Sequence, residues 1–270
     1  KEVRQHQVNT LEDMASLPIP IPFTPAKGVA ETYVKLREQA RLQHQSRMQQ
    51  RPVHERLPLD EEEKQGFFKL PEPTHDDIYL DLEGDPLVEP SGREYMFGWY
   101  HLGQYNLIWA ETADAEKAAF ETFMDFALQV KLANPDMHIY HFGAYEQSAF
   151  KRLMCKYATR ENEMDAFLRS RTFIDLHGVV RHSIRAGVER YSLKDLEKYH
   201  GYIRQMDLRI LSGFKAEYEV LLETGRQAEA TADARNAIVK YNEDDCISTH
   251  SLHLWLEAER QLWIDEGFAI

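Results

Sequence analysis

The stretch that decides the fold is DIYLDLEGDP, residues 77–86, in which acids alternate with apolar residues directly behind an apolar run. Residues two apart in a strand point to the same side of the sheet, so Asp81 and Glu83 share one face while Leu80 and Leu82 share the other. We therefore predict a strand that turns one face to the core and presents paired carboxylates on the other.

Paired carboxylates repel each other unless a cation neutralises them, and a bound divalent metal removes that cost. Ligation by oxygen alone selects hard ions, which predicts a site for Mg²⁺ or Mn²⁺. An EF-hand loop is excluded, because its sixth position would require Gly and is Pro86, and its twelfth would require Glu and is Gly92. Asp85, the third acid, is interpreted as part of a solvated acidic turn without a role in the site.

Size and composition are those of a globular protein. The chain has 270 residues, and 43% hydrophobic content is enough for a substantial core. No apolar run approaches the roughly 20 residues of a membrane span, and no signal-peptide pattern is visible, so we expect a cytoplasmic protein. Cys155 and Cys246 are too few for a disulfide framework or a zinc cage and are predicted to be reduced thiols.

The charge is unevenly distributed. A formal net charge of -13 argues against a protein that coats nucleic acid nonspecifically, because phosphate binding depends on Lys and Arg. Residues 147–194 nevertheless contain ten Lys or Arg against five acids. This basic surplus fits either a surface that faces phosphate or the solvated face of a helix.

Residues 1–70 are predicted to form a helical extension and a linker. VNTLEDMASL is typical of a short helix capped by Asn9 or Thr10, and residues 30–50 are typical of a longer polar helix. The intervening PIPIPFTP cannot be helical, and the acidic LDEEEKQG, residues 59–66, is interpreted as linker. Because the first residue is Lys1 rather than Met, we expect the chain to be part of a longer protein with further domains.

Residues 71–270 are predicted to form the main domain. The segments DIYLDLEG, EYMFGWYHL and YNLIWAE predict three strands with short connections, hence an antiparallel meander. A helix capped by Asp114 follows, then strands over MHIYHF and TFIDLH separated by a helix, and everything beyond is predicted to be helical. This order predicts an α/β fold with a mixed five-stranded sheet flanked by helices.

Two helices carry further candidate residues. In YNEDDC, Tyr241 and Asp245 lie four apart and share one helical face, where a hydroxyl beside a carboxylate can hold an attacking water and help to deprotonate it. Glu146 is predicted in the first turn of the helix after the fourth strand, at the sheet end where the loops of α/β folds gather. Each pattern alone has a structural explanation, since an acid in a first turn also complements the helix dipole.

Together these motifs resemble a known family. Asp-x-Glu on a first strand, an acid that begins a helix after a later strand, and Tyr-x-x-x-Asp on a final helix are similar to the DEDDy class of ribonuclease H-like 3'-5' exonucleases. The motifs DIYLDLEGDP, IYHFGAYE, FIDLHGVVRHSI, YSLKDLE and YNEDDC resemble more closely the ribonuclease H-like domain that follows a RecB-like nuclease domain in a family of RecB-like nucleases. The resemblance covers roughly residues 70–262, and the N-terminal third is similar to that family's interdomain region.

The resemblance implies a two-metal nuclease that shortens single-stranded nucleic acid from the 3' end, with DNA favoured over RNA, using Mg²⁺ or Mn²⁺. It implies that Asp81 bridges both ions and that Glu83 and Asp245 complete one of them. It further implies that Glu146 supports the other ion and that Tyr241 orients the attacking water. A RecB-like nuclease domain of the same longer chain is the partner that it implies.

The sequence departs from the wider class in its second motif. His141 stands where that class usually has Asn, and Glu146, after Tyr145, stands where it usually has Asp. The longer side chain of Glu146 can still reach a metal ion, directly or through water. Asp175 is interpreted either as an outer acid of the site or as a helix cap, and Lys194 either as a phosphate ligand or as a surface lysine.

Other functions stay open. A catalytically weak or inactive module that binds nucleic acid or a partner within a larger nuclease would keep the fold without the reaction, although clustered acids then cost stability for no return. An interaction scaffold for further domains is favoured by the N-terminal helix. A RecB-type nuclease site within these residues is excluded, because no Glu-x-Lys pattern follows an acid on the next strand.

Overall fold

The computed structural model describes residues 2–59 and 61–270. Lys1 and Asp60, the latter within the predicted acidic linker, lie outside the described residues. The strands of the described part are β1 (His54–Arg56), β2 (Ile78–Asp85), β3 (Arg93–His101), β4 (Gln104–Trp109), β5 (Ile139–His141), β6 (Phe173–Asp175) and β7 (Ile184–Ala186). Its α-helices are α1 (Glu2–Gln5), α2 (Leu11–Ala15), α3 (Ala30–Gln49), α4 (Ala113–Ala133), α5 (Tyr145–Tyr157), α6 (Glu161–Arg169), α7 (Leu176–Ser183), α8 (Leu193–His200), α9 (Leu208–Glu223) and α10 (Ala232–Asp265).

A mixed five-stranded sheet has the strand order β4-β3-β2-β5-β6. Strands β2, β3 and β4 form the predicted antiparallel meander. Strand β5 pairs in parallel with β2, and β6 pairs in parallel with β5. The predicted α/β fold with a mixed five-stranded sheet flanked by helices is therefore confirmed.

Strand β2 separates a core face from a carboxylate face. Ile78, Leu80 and Leu82 belong to the main hydrophobic core, together with residues of β3, α4 and α5. Full burial of such a side chain contributes about 1.5–3 kcal/mol. Because side chains alternate along a strand, Asp81 and Glu83 point away from this core. Burial of the apolar face of β2 in the core thus fixes the orientation of the two carboxylates on the other face.

The pairing between β2 and β3 contains a bulge. The pairing between β2 and β3 shifts its register between Glu83 and Gly84, and beyond the shift Asp85 is paired with Arg93. A bulge adds a residue to one strand and bends it locally. The extra residue lies in β3, because the shift skips Tyr95 while the residues of β2 stay consecutive.

The described residues form two compact units. One unit contains residues 2–59, 61–68, 179–201 and 255–270, and the other contains Lys69–Gly178 and Tyr202–Leu254. The five-stranded sheet belongs to the second unit. The predicted division of the chain into residues 1–70 and 71–270 stays a prediction.

The first unit contains a small sheet that the sequence analysis did not predict. Strands β1 and β7 pair antiparallel, with His54 opposite Ala186 and Arg56 opposite Ile184. The prediction that everything after TFIDLH is helical is therefore wrong for β7. Three residues are too few to display an alternation, and the pairing partner lies far away in the chain.

Helix caps test the predicted boundaries. Thr10 is the N-cap of α2 and forms a capping box with Asp13, which agrees with one of the two predicted caps. The N-cap of α4 is Thr112, whose side chain accepts a hydrogen bond from the backbone N–H of Ala115. Asp114 instead lies in the first turn, where an acid favours the helix dipole, so its assignment as the cap is wrong.

None of the helices within residues 2–59 and 61–270 combines the length and apolarity needed to cross a membrane.

Candidate metal centre

Three carboxylates converge on the polar face of β2. Asp81, Glu83 and Asp245 each offer an oxygen, and these oxygens lie within 4.8 Å of one another. Strand β2 supplies the first two residues and α10 supplies the third. Three predicted site residues from distant parts of the chain are thereby brought together.

Asn242 connects the two elements that carry these acids. Its Nδ2 donates hydrogen bonds to Oδ2 of Asp81 at 2.8 Å and to the Asp81 carbonyl oxygen at 3.2 Å. Its Oδ1 accepts a hydrogen bond of 2.8 Å from the Tyr105 hydroxyl. Gly98, opposite Asp81 in the sheet, leaves room for this amide, because a Cβ there would lie 1.5 Å from Oδ1 of Asn242.

Two basic side chains compensate the acids. Nζ of Lys215 lies 2.6 Å from Oε2 of Glu83, and the Arg204 guanidinium pairs with Asp245. Burial alone would lower the pKa of Lys215, but the negative charge of Glu83 raises it above its ordinary value. Both cations are therefore charged at neutral pH, and they balance much of the repulsion among the three carboxylates.

Tyr241 lies one helical turn before Asp245, as predicted. The Arg204 guanidinium is 5.7 Å and Nζ of Lys215 is 5.6 Å from the centre of the Tyr241 ring. Cations at this distance are attracted by the electrons of an aromatic face. The tyrosine thus lies against both cations that contact the acidic group.

Asp244 supports the segment that carries Arg204. It accepts hydrogen bonds from the Tyr202 hydroxyl at 2.7 Å and from the Gln205 backbone N–H at 3.1 Å. Burial raises the pKa of Asp244, although these hydrogen bonds oppose the shift. The side chain is fully buried and holds residues 202–205 instead of joining the three-carboxylate group.

Glu146 lies outside the group formed by the other three acids. It is in the first turn of α5, as predicted, and is buried. Its Oε2 is 3.4 Å from Nδ1 of His141, but that nitrogen is bonded to the Gly143 carbonyl oxygen at 2.6 Å. Within the described residues, Oε2 of Glu146 makes no hydrogen bond. A buried carboxylate oxygen in this state is suited to a cation or a donor from outside the chain.

The structure also shows the surroundings of three further residues that the sequence analysis singled out. Asp175 accepts hydrogen bonds from the backbone N–H groups of Gly143 and His177, as the helix-cap interpretation expects. Lys194 lies in α8, in the other compact unit, and its phosphate role stays a prediction. Asp85 is 5% exposed, so its interpretation as a solvated acidic turn is wrong.

Sequence reasoning missed Asn242, Arg204 and Lys215. Asn242 could have been noticed, because it is one residue from Tyr241 within the YNEDDC motif. Arg204 lies in an irregular segment, and Lys215 lies on α9 one turn from Glu219, an ordinary surface spacing. Nothing local distinguishes either of these two from other basic residues.

The model of the RNase H superfamily matches residues 78–257, about two thirds of the chain. The chain therefore belongs to the RNase H superfamily. Members of this superfamily are usually nucleases, and the matched region contains the whole three-carboxylate group. No curated protein and no solved structure matches the chain significantly.

Proposed function

We propose that this protein is a metal-dependent 3'-5' exonuclease of the DEDDy type, which removes nucleotides from the 3' end of single-stranded nucleic acid and favours DNA over RNA. The observation that carries the proposal is the convergence of Asp81, Glu83 and Asp245 within 4.8 Å. Acids at this spacing repel one another, and Lys215 and Arg204 balance only part of that repulsion, so divalent cations would stabilise the site.

The donor atoms fit hard divalent cations. Oxygen ligands select Mg²⁺ or Mn²⁺, and the buried Oε2 of Glu146 supplies a fourth oxygen without a hydrogen bond among the described residues. Asp81, Glu83 and Asp245 would hold one ion, with Asp81 shared with a second ion that Glu146 supports. Two such ions stabilise the attacking and leaving oxygens of an in-line displacement at phosphorus.

Several side chains of this site would act directly on the substrate or its water. Tyr241 would orient the attacking water, and Arg204 and Lys215 would move from the carboxylates to the phosphate when divalent cations bind the acids. Arg204 suits this role because a guanidinium can donate two parallel hydrogen bonds to phosphate. Further domains of the same longer chain, including a RecB-like nuclease domain, are part of the proposal.

The alternative is a catalytically weak module that binds nucleic acid within a larger nuclease. The ion pairs of Lys215 with Glu83 and of Arg204 with Asp245 favour it, because they let the acids persist without a metal. The position of Glu146 outside the three-carboxylate group favours it as well.

The decisive experiment uses single-stranded DNA and RNA labelled at either end, with Mg²⁺, Mn²⁺ or EDTA. The proposal expects a ladder of shortened products from the 5' label and release of a labelled mononucleotide from the 3' label. Both should require metal, and Asp81→Ala should abolish both. Glu243→Gln is the control, because Glu243 lies on α10 with Asp245 but contacts Gln205 instead of joining the three-carboxylate group.

The outcomes separate the two functions. Fragments produced by internal cuts would exclude an exonuclease, and equal hydrolysis by Asp81→Ala would exclude this site. Metal-independent binding of the strand without any product would favour the alternative module.

A further inference from the structure

A pocket of about 310 Å³ lies where β2 ends and β3 begins. The charged and aromatic residues that line it are Asp85, Arg93, Glu94, Tyr145, Arg152 and Lys215. Lys215 also contacts Glu83 of the metal centre, so one side chain borders both places. All of these residues belong to the same compact unit.

Arg93 is the unusual member of this lining. It is only 8% exposed, yet its Nε is buried without a hydrogen-bond partner among residues 2–59 and 61–270. The nearest charged partner is Oε2 of Glu116, at 3.7 Å from Nε, which is beyond hydrogen-bonding distance. That carboxylate already accepts hydrogen bonds from the Glu94 backbone N–H at 2.6 Å and from Lys156 at 2.7 Å.

A buried guanidinium N–H without a hydrogen bond is costly. Arginine carries five N–H donors, and a charged group removed from water is normally paired and hydrogen-bonded. The other two cations of the pocket already have partners, since Arg152 pairs with Glu94 and Lys215 pairs with Glu83. The Nε–H of Arg93 is therefore suited to an anion that enters the pocket from outside the chain.

The same pocket contains a carboxylate oxygen in a similar state. Asp85 is paired with Arg93 in the strand register, and its Oδ1 accepts a hydrogen bond of 2.8 Å from the Leu87 backbone N–H. Its Oδ2 is buried and makes no hydrogen bond within the described residues. A ligand that satisfies both residues must carry an anionic group for Arg93 and a hydroxyl or amino donor for Asp85.

We propose that this pocket binds one nucleotide unit, with its phosphate on Arg93 and a sugar hydroxyl or base amino group on Asp85. The planar fork of arginine matches two oxygens of a phosphate, and a nucleotide carries the required donors beside that phosphate. The identity of the ligand as part of the substrate strand rests on the proposed function. The pocket then holds a nucleotide next to the bond that the metal centre cleaves.

The experiment measures binding by calorimetry in EDTA, so that no hydrolysis occurs. The probes are thymidine 5'-monophosphate, inorganic phosphate and thymidine. We expect the monophosphate to bind about tenfold more tightly than thymidine, because its phosphate adds charged hydrogen bonds. Binding of phosphate and monophosphate with equal affinity would overturn the assignment to a nucleotide.

Two variants assign the contacts. Arg93→Met should weaken binding of the monophosphate about tenfold, whereas Arg160→Met, which removes a surface ion pair with Asp125, should leave it unchanged. Asp85→Asn should retain phosphate binding and lose the preference for the monophosphate. Unchanged binding by Arg93→Met would overturn the proposal.

Thermal unfolding distinguishes a ligand-binding arginine from a structural one. Because Nε of Arg93 is buried without a hydrogen bond among the described residues and its ion pair with Glu116 is long, at 3.7 Å, Arg93→Met should unfold at the same temperature as the wild type or at a higher one. A clear decrease would mean that Arg93 stabilises the fold through its ion pair with Glu116, and the proposal would fail.

The two proposals can fail separately. If the protein binds the monophosphate through Arg93 but does not hydrolyse strands, the nucleotide pocket is supported and the exonuclease function is excluded. If hydrolysis requires metal but Arg93→Met does not change the KM, the exonuclease function is supported and the nucleotide pocket is excluded.

Discussion

Asn242 donates a hydrogen bond of 2.8 Å to Asp81, although 161 residues separate the two in the chain. This bond ties the helix that carries Asp245 to the strand that carries Asp81 and Glu83. An amide outside the three-carboxylate group thus connects the two elements that carry the acids, and the space for that amide depends on the missing side chain of Gly98.

Gly98→Ala should disturb this arrangement. The added methyl group would lie 1.5 Å from Oδ1 of Asn242, so either the amide or the helix must move. We expect a loss of about 1–3 kcal/mol in the free energy of unfolding, as is typical of overpacking, with loss of metal-dependent hydrolysis. Denaturant titration and the labelled-strand assay measure the two effects.

Gly213→Ala is the matched control for this change. Gly213 lies in α9 with no atom within 4 Å of an added Cβ, so alanine should be neutral or stabilising in the helix. If Gly98→Ala unfolded at the wild-type denaturant concentration, the tie between Asn242 and Asp81 would not constrain the site.

Lys215→Met should make the stability of the three-carboxylate group depend more on added divalent cations. Glu83 is buried and would lose this ion pair, which we expect to cost about 1–2 kcal/mol in EDTA, less than for a fully buried pair because Lys215 is partly exposed. Mn²⁺ should then raise the thermal midpoint of the variant more than that of the wild type, since the competing cation is gone.

Lys151→Met tests whether loss of any lysine gives this behaviour. Lys151 is exposed and contacts Gln147, so its replacement should not change the response to Mn²⁺. Equal stabilisation of Lys215→Met and wild type by Mn²⁺ would show that Lys215 does not compete with the metal.

Glu146→Gln should reduce hydrolysis less than Asp81→Asn does. Glu146 lies outside the three-carboxylate group, so we expect the loss typical of supporting residues, about 10- to 100-fold. Single-turnover rates in saturating Mg²⁺ measure the loss, and Glu161→Gln controls for an acid in a first helical turn. A loss as large as that of Asp81→Asn would make Glu146 a direct ligand.

The stability of the protein should fall on mild acidification because of His200. Burial lowers the pKa of this imidazole to about 4, so the folded state binds its proton less readily than the unfolded state does. The contribution of the neutral imidazole to the free energy of unfolding is complete above pH 6.5, the ordinary pKa of histidine. It is lost as the pH falls toward 4. The expected loss between pH 7 and pH 5 is about 2 kcal/mol.

His200→Gln should reduce this difference, which denaturant titrations at the two pH values measure. His75→Gln, at a histidine that is 79% exposed, should retain the wild-type difference. The same acid sensitivity in His200→Gln as in the wild type would assign the effect to another group.

The sequence predicted those features that repeat locally. Alternation in DIYLDLEGDP identified the two faces of β2, and a four-residue helical spacing identified Tyr241 and Asp245. The cations were not predictable in this way, because Arg204 and Lys215 reach the acids from an irregular segment and from a separate helix. Their role follows from proximity in the folded protein, and such proximity produces no regular spacing in the sequence.

Other features could not be predicted from the sequence, because some strands are very short and some helix ends have two suitable cap residues. Strands β1 and β7 have three residues each, so neither displays a period. At the start of α4, Thr112 and Asp114 are both good caps by composition, and only the backbone geometry selects Thr112. Burial of Asp85 depends on the residues across the strand pair, which its own neighbours in sequence do not indicate.

The extra residue of the bulge belongs to β3, while the residues of β2 stay consecutive from Glu83 to Gly84. Strand β2 therefore keeps its alternation up to Asp85. Lys215 pairs with Glu83 and also lines the pocket that contains Asp85. A substitution at Lys215 is thus expected to act on the acidic group and on the pocket together, so the two places are coupled through one side chain.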